Sequence, residues 1–253
     1  MTASFPETAD IETSSADYAS RFAGAAGRFF LETQTGMVLS CLDPIPDKRV
    51  LDVGGGHCQL AAPLTAQGYR VTMTGSADIC GERAAARLPA DSFTYRTCDS
   101  LALPFADRSF PVALSFRLLP HVESPEHQNR LVGELCRVAE RMVILDYPDI
   151  RSFNMLYSLL FRLKKRVEGN TRSYILFNRR QIATAFAAHG FGQIRFLPQF
   201  FWPMVLHRKL QSAALSRLIE KPCRLSGLTG LFGSPDRKGT RLNSSHTNLS
   251  RMP

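Results

Sequence analysis

The residues with the plainest chemical potential are Asp52, Gly54, Gly55 and Gly56, in the run Val50-Leu51-Asp52-Val53-Gly54-Gly55-Gly56-His57-Cys58-Gln59-Leu60. Three consecutive glycines let a ligand approach the backbone where any Cβ would collide, and such a turn from an apolar strand into a helix is a nucleotide-binding device. The dinucleotide fingerprint G-x-G-x-x-G needs a glycine at position 59, where Gln59 stands, so a nicotinamide or flavin cofactor is disfavoured. His121 is the best-placed imidazole for taking a proton, with Tyr147 a distant second. The chain shows no Ser-His-Asp pattern, no H-E-x-x-H, no Walker lysine and no clustered metal ligands. Its six cysteines (41, 58, 80, 98, 136, 223) contain no C-x-x-C pair and read as buried thiols of a reducing cytoplasm.

Strands and helices must alternate to position these residues. Leu51 and Val53 belong to a buried parallel strand, Gln59 to Ala66 is helical, and Gly68 caps it. Arg70 to Thr74 is a second strand, followed by a helix that Asp78 would N-cap. Phe93 to Cys98 and Val112 to Phe116 are the third and fourth strands, and Ser124-Pro125 opens a helix. Met142 to Leu145 is strand five, Asn178 and Gln181 form a capping box, and Gln193 to Leu197 is strand six. Phe200 to Leu206 is either strand seven or a substrate wall, and Ala213 to Ile219 is helical without a clean seventh strand after it. The sum is an α/β chain, a doubly wound, mostly parallel sheet with helices on both faces.

With its order of motifs, the chain resembles the class I S-adenosylmethionine-dependent methyltransferases, in the small-molecule branch that includes ubiquinone and menaquinone methyltransferases. Asp52, Gly54 and Gly56 match an acidic residue followed by G-x-G-x-G, with Cys58 where the last glycine is usual. The block Asp99-Ser100-Leu101-Ala102-Leu103-Pro104-Phe105-Ala106-Asp107-Arg108-Ser109-Phe110 matches a second motif, with Pro111 where aspartate is usual. The resemblance implies a Rossmann-like fold, S-adenosylmethionine as cofactor, and a helical cap inserted after strand five. It implies that Gly54, Gly55 and Gly56 cradle the cofactor beside Asp52. By the same resemblance Asp99 accepts from the adenine amino group, Ser100 and Leu101 contact the ring, and Phe116 completes the set. The acid that usually holds the ribose is replaced by Gly75-Ser76, leaving Ser76 one hydrogen bond to give. Tyr18 and Arg21 would close a leading helix over the cofactor's amino-acid end, or that helix simply packs on the sheet through Phe22 and Phe29. Asp99 has a second reading as a helix cap, and His121 either faces the acceptor or only bonds its own loop.

Charge divides the chain. Residues 1–150 carry 13 Lys/Arg against 19 Asp/Glu, whereas residues 151–224 carry 14 against 2. Phe153, Leu156, Leu160, Leu163 and Val167 recur at helical spacing beside Arg162, Lys165 and Arg166, which suits an acidic or lipid-linked acceptor at an anionic membrane surface. It also suits RNA, although no RNA-binding module is appended, and a solvated basic face is the plain alternative. No apolar run reaches the roughly 18 residues of a membrane span, and no secretory signal opens the chain, so a cytoplasmic protein with peripheral membrane contact is expected.

The expected organisation is an N-terminal helical lid over 1–45, a cofactor-binding core over 46–150, and a basic, apolar cap with the last αβ unit over 151–235. Residues 236–253 resemble the translation of a sequencing-library adapter and are expected to be disordered, replacing a genuine C-terminus lost after Pro235. The functional expectation is methyl transfer to a small acidic or lipophilic acceptor. An RNA-modifying methyltransferase and a non-catalytic cofactor-binding protein are the alternatives.

Overall fold

The computed structural model describes residues 22–152 and 175–241, with Ser234–Arg241 described by backbone alone. Seven strands form one sheet in the order β3-β2-β1-β4-β5-β7-β6. They are β1 (Arg49–Val53), β2 (Arg70–Gly75), β3 (Phe93–Thr97), β4 (Phe110–Ser115), β5 (Ala139–Asp146), β6 (Phe191–Phe200) and β7 (Ser234–Arg241). The first five pair in parallel, and β7 runs antiparallel between β5 and β6. Strand order reverses between β1 and β4, so a crevice opens outside their carboxyl ends. This is the predicted doubly wound, Rossmann-like arrangement.

The described helices are α1 (Gly24–Leu42), α2 (Ala61–Ala66), α3 (Asp78–Ala85), α4 (Pro125–Val138), α5 (Arg179–Ala188), α6 (Met204–Leu210), α7 (Ala213–Leu225) and α8 (Leu228–Phe232). Alternation along the central strands feeds two cores. Leu51, Val53, Ala113 and Val143 join Leu131, Leu135, Ile182 and Phe186 on one face. Val50, Val112, Leu114 and Ile144 join Val38, Leu42 and Leu64 on the other. Among the described residues no helix is long and apolar enough to cross a membrane.

Several boundaries shift for physical reasons. Helix α2 starts at Ala61, because Cys58 takes a left-handed conformation (φ 57°) that extends the turn. Ala77, not Asp78, is the N-cap of α3; Asp78 lies in the first turn, where its carboxylate receives the Thr97 hydroxyl. Pro111 coincides with a register shift between β4 and β5, where a missing N–H is tolerated. Phe200 ends β6, and the segment after it is the helix α6 rather than a strand. The Asn178–Gln181 capping box forms as predicted, at 2.7 and 3.0 Å.

Residues 236–241, expected outside the fold, take the place of β7. An antiparallel strand there supplies main-chain partners to both β5 and β6, and such pairing tolerates almost any side chain. Tyr18, Arg21, the apolar stripe from Phe153 to Val167 and residues 242–253 lie outside the described residues.

Where the cap was predicted, the structure describes the two ends of the inserted segment. Asp149 and Phe177 form a parallel bridge, with Ile150 N–H donating to the Phe177 carbonyl at 3.0 Å and Phe177 N–H to the Pro148 carbonyl at 2.9 Å. Asp149 is buried and accepts from Arg179 Nε at 2.9 Å and from Arg151 N–H at 2.9 Å. Ile175 N–H donates to the Pro120 carbonyl at 3.0 Å, so the returning chain passes directly beside His121.

Candidate active site

The glycine run is built for its own packing as well as for a ligand. Gly54 has φ +82°, and a Cβ there would stand 3.3 Å from Leu118 Cδ2. A Cβ at Gly55 would land on the Asp52 carboxylate, and one at Gly56 would stand 2.8 Å from Cys80 Sγ. The turn is braced from outside. Gly54 N–H donates to the Thr74 carbonyl at 3.1 Å, and Arg83 and Arg87 of α3 donate to the carbonyls of Gly56 and His57 at 3.0 and 3.4 Å. Cys58 explains itself here: it holds the positive φ that a glycine would adopt freely, at a cost of about 1 kcal/mol.

Asp52 lies beneath this turn and is buried. Burial pushes its carboxyl up to about 7, a rise that the Arg117 charge opposes. Arg117 follows the end of β4 in a left-handed conformation (φ 61°) and turns its backbone N–H onto Asp146 Oδ1 at 2.5 Å. Its Nη1 donates to Gln34 Oε1 of α1 at 3.2 Å, and its guanidinium stands 4.7 Å from the Phe22 ring centroid. One cation therefore links the ends of β1, β4 and β5 to α1. Burial also raises the Asp146 carboxyl, again against Arg117. His57 is driven the other way, down to about 4, by burial and then by Arg83, Arg117 and Arg87. Its imidazole is neutral at ordinary pH. Sequence reasoning passed over Arg117, whose one signal was a charge directly after the apolar run Pro111 to Phe116.

The remaining candidates occupy the same rim with different environments. Asp99, half-buried after β3, commits Oδ1 to the Leu101 N–H at 2.8 Å, as a residue closing a turn does. Ser100 and Leu101 are buried beside it. Phe116 packs into the core with Cys58 and Leu60. His121 is half-buried in a short 3-10 turn, its N–H donating to the Leu118 carbonyl at 3.0 Å.

Ser76 is half-exposed just past β2, and the structure explains why no acid stands before it. Tyr95 reaches across from β3 and donates its hydroxyl to the Ala77 carbonyl at 2.6 Å. A Cβ at Gly75 would stand 2.6 Å from that phenol oxygen. Any side chain at position 75, acidic or not, meets Tyr95.

These residues fit the amino-acid end of S-adenosylmethionine, since bare backbone lies beside an acid and a cation. Among the described residues no group of three His, Cys, Asp or Glu could hold a metal ion.

Comparison with known proteins agrees with this fold. Residues 51–144 match a family described as methyltransferase domain. No curated protein matches the chain in sequence. Among solved structures, magnesium protoporphyrin IX methyltransferase from Synechocystis PCC 6803 with bound S-adenosylmethionine is similar at TM-score 0.61 and 15% identity, over 96% of this chain and 100% of that one. A possible histamine N-methyltransferase from Thermotoga maritima gives 0.60 and 16%, over 89% and 95%. Geranyl diphosphate C-methyltransferase from Streptomyces coelicolor A3(2) gives 0.57 and 18%, over 83% and 76%. Identities this low speak for the fold alone; the matched domain speaks for the chemistry.

Proposed function

We propose that this chain, an S-adenosylmethionine-dependent methyltransferase through its domain at residues 51–144, methylates a small lipophilic or acidic acceptor, in the manner of the quinone-methylating branch. The observation that carries the reading is the Gly54–Gly56 turn at the point of strand reversal, with Asp52 beneath it and Arg117 beside it. When bound, S-adenosylmethionine supplies a methyl group already activated by its sulfonium, which passes to the acceptor in line as the carbon–sulfur bond breaks. The protein's contribution is then position and dryness, and orientation alone can supply about 7–11 kcal/mol.

Gly54, Gly55 and Gly56 would hold the cofactor's amino-acid end, with the Asp52 carboxyl and the Arg117 guanidinium set toward its ammonium and carboxylate. Tyr18 and Arg21 would close over that end. Asp99, Ser100, Leu101 and Phe116 would line the adenine, and Ser76 would donate to the ribose. His121 stands where the inserted segment returns, and would accept the proton of a hydroxyl acceptor. The porphyrin and prenyl diphosphate named for two of the similar structures support a small acceptor of the same kind here.

Calorimetric titration with S-adenosylmethionine, followed by labelled-methyl transfer over lipid, quinone and RNA extracts, tests the reading. Absence of cofactor binding sinks it, and label confined to RNA replaces its acceptor.

A further inference from the structure

We propose that the outward face of α7 and α8 is a docking surface for an anionic lipid bilayer. An amphipathic helix of a globular protein ordinarily turns its apolar stripe inward. Helix α7 does the reverse. Ser216, Glu220 and Cys223 are its buried residues, while Leu215, Leu218 and Leu225 are 45%, 63% and 78% exposed. The chain turns at Gly227 (φ +76°) into α8, where Leu231 and Phe232 are 58% and 45% exposed.

The inverted orientation is held in place. The buried Glu220 carboxylate accepts from Phe201 N–H at 2.9 Å and Trp202 N–H at 3.0 Å, and meets His207 Nε2 at 3.1 Å. Rolling α7 to bury its leucines would break all three contacts and expose the carboxylate's partners unpaired. The leucines therefore face outward in the folded protein, at i, i+3 and i+10, with Pro222 at i+7 continuing the stripe.

Charge selects what meets them. Arg217, Lys221 and Arg224 form an exposed stripe on α7, and Arg208 and Lys209 are exposed on α6. Across Met204–Phe232 the single acidic residue is Glu220, which is buried. An apolar stripe edged by cations, where the one exposed acid in contact is Glu32 of α1 at Arg217, fits an interface of acyl chains and anionic headgroups. A second copy would bring the same cations face to face across a two-fold axis. RNA would leave the leucines without a role, since bases stack on aromatic rings rather than on leucine.

The position couples this surface to the site. Helices α6 to α8 join the carboxyl end of β6 to the start of β7, on the rim that carries the glycine turn. Arg217 pairs with Glu32 of α1 at 2.8 Å, and α1 in turn supplies Gln34 to Arg117. Docking would bring the crevice to the membrane interface, where a membrane-dissolved acceptor can enter. That last step rests on the lipophilic-acceptor reading; the docking itself does not.

The test is co-sedimentation of the full chain with phosphatidylcholine vesicles, with and without phosphatidylglycerol, at low and high salt. Binding should require the anionic lipid, weaken with salt, and fall about tenfold or more in Leu218→Asp/Leu225→Asp and in Lys209→Ala/Lys221→Ala. S-adenosylmethionine affinity, measured in parallel, should be unchanged in both variants, which shows that they fold. Equal vesicle binding by wild type and both variants overturns the proposal. So does a concentration-dependent dimer that Leu218→Asp abolishes while vesicles go unbound. Cofactor binding without vesicle binding removes the surface alone; vesicle binding without cofactor binding removes the methyltransferase reading alone.

Discussion

The backbone N–H of Arg117 donates to the Asp146 carboxylate at 2.5 Å, and that contact is possible because Arg117 adopts φ 61° after β4. The same backbone turn carries the guanidinium to Gln34 and Phe22 of the α1 side and brings its charge within reach of Asp52. The left-handed conformation at Arg117 therefore serves two ends, a backbone contact to Asp146 and the placement of the guanidinium in the crevice.

Replacing this residue separates backbone from charge. Arg117→Gly keeps the N–H to Asp146 and relieves about 1 kcal/mol of backbone strain, offsetting the lost contacts to Gln34 and Phe22. Its urea stability should stay within about 1 kcal/mol of wild type. Its affinity for S-adenosylmethionine should fall about tenfold or more, the size of one lost charge-assisted hydrogen bond. Unchanged affinity by calorimetry would remove Arg117 from the site.

Two groups at the turn, the buried Asp52 and the half-buried His57, oppose one another in their pH dependence. Asp52 is pushed from 3.8 up to about 7, so between those values the unfolded chain has released a proton that the native state keeps. Stability therefore falls as pH rises through that window, by roughly 4 kcal/mol at most for this one group. Asp146, also raised by burial, acts in the same direction. His57, lowered from 6.5 to about 4, binds its proton in the unfolded state first, so its contribution rises with pH over that window. Against wild type, Asp52→Asn should shift the stability profile toward a rise with pH between about 4 and 6.5, and His57→Asn toward a fall. Urea midpoints across that range read both, and parallel profiles for all three proteins would contradict the assignment.

The Tyr95 phenol beside Gly75 yields a double-mutant prediction. Gly75→Ala places a Cβ 2.6 Å from Tyr95 Oη and should cost about 1–3 kcal/mol. Tyr95→Phe removes the colliding atom, whose ring neighbour stands at 3.4 Å, and should recover much of that loss. Additive effects of the two substitutions in urea unfolding would show that Tyr95 is not what keeps position 75 bare.

What could be read in the sequence was what short-range physics writes. The Gly54–Gly56 turn, the Ser124-Pro125 helix start and the Asn178–Gln181 box each depend on residues a few positions apart, and each is where the spacing placed it. The parallel strands followed from apolar runs. What escaped depends on partners distant in the chain. Tyr95 acts on Gly75 across a strand pair, Arg179 holds Asp149 from thirty residues on, and Arg117 finds Gln34 in a helix far upstream. Strand β7 escaped for another reason, since it is recruited by main-chain pairing and carries no apolar alternation to announce it. The inverted face of α7 was equally hidden, because periodicity reports that a helix has two faces and not which of them meets the core.

The Asp149–Phe177 bridge has a consequence for how such a protein can diversify. The described chain on either side of residues 153–174 meets at neighbouring points that are hydrogen-bonded to each other, and Arg179 on the buried Asp149 secures the junction. Lengthening a segment whose ends are already joined costs little closure entropy, about 0.6 kcal/mol per doubling. The segment can therefore be exchanged for one of different length and composition while every strand keeps its register. On the proposed function, such an exchange would change the acceptor and leave the turn that holds the cofactor untouched.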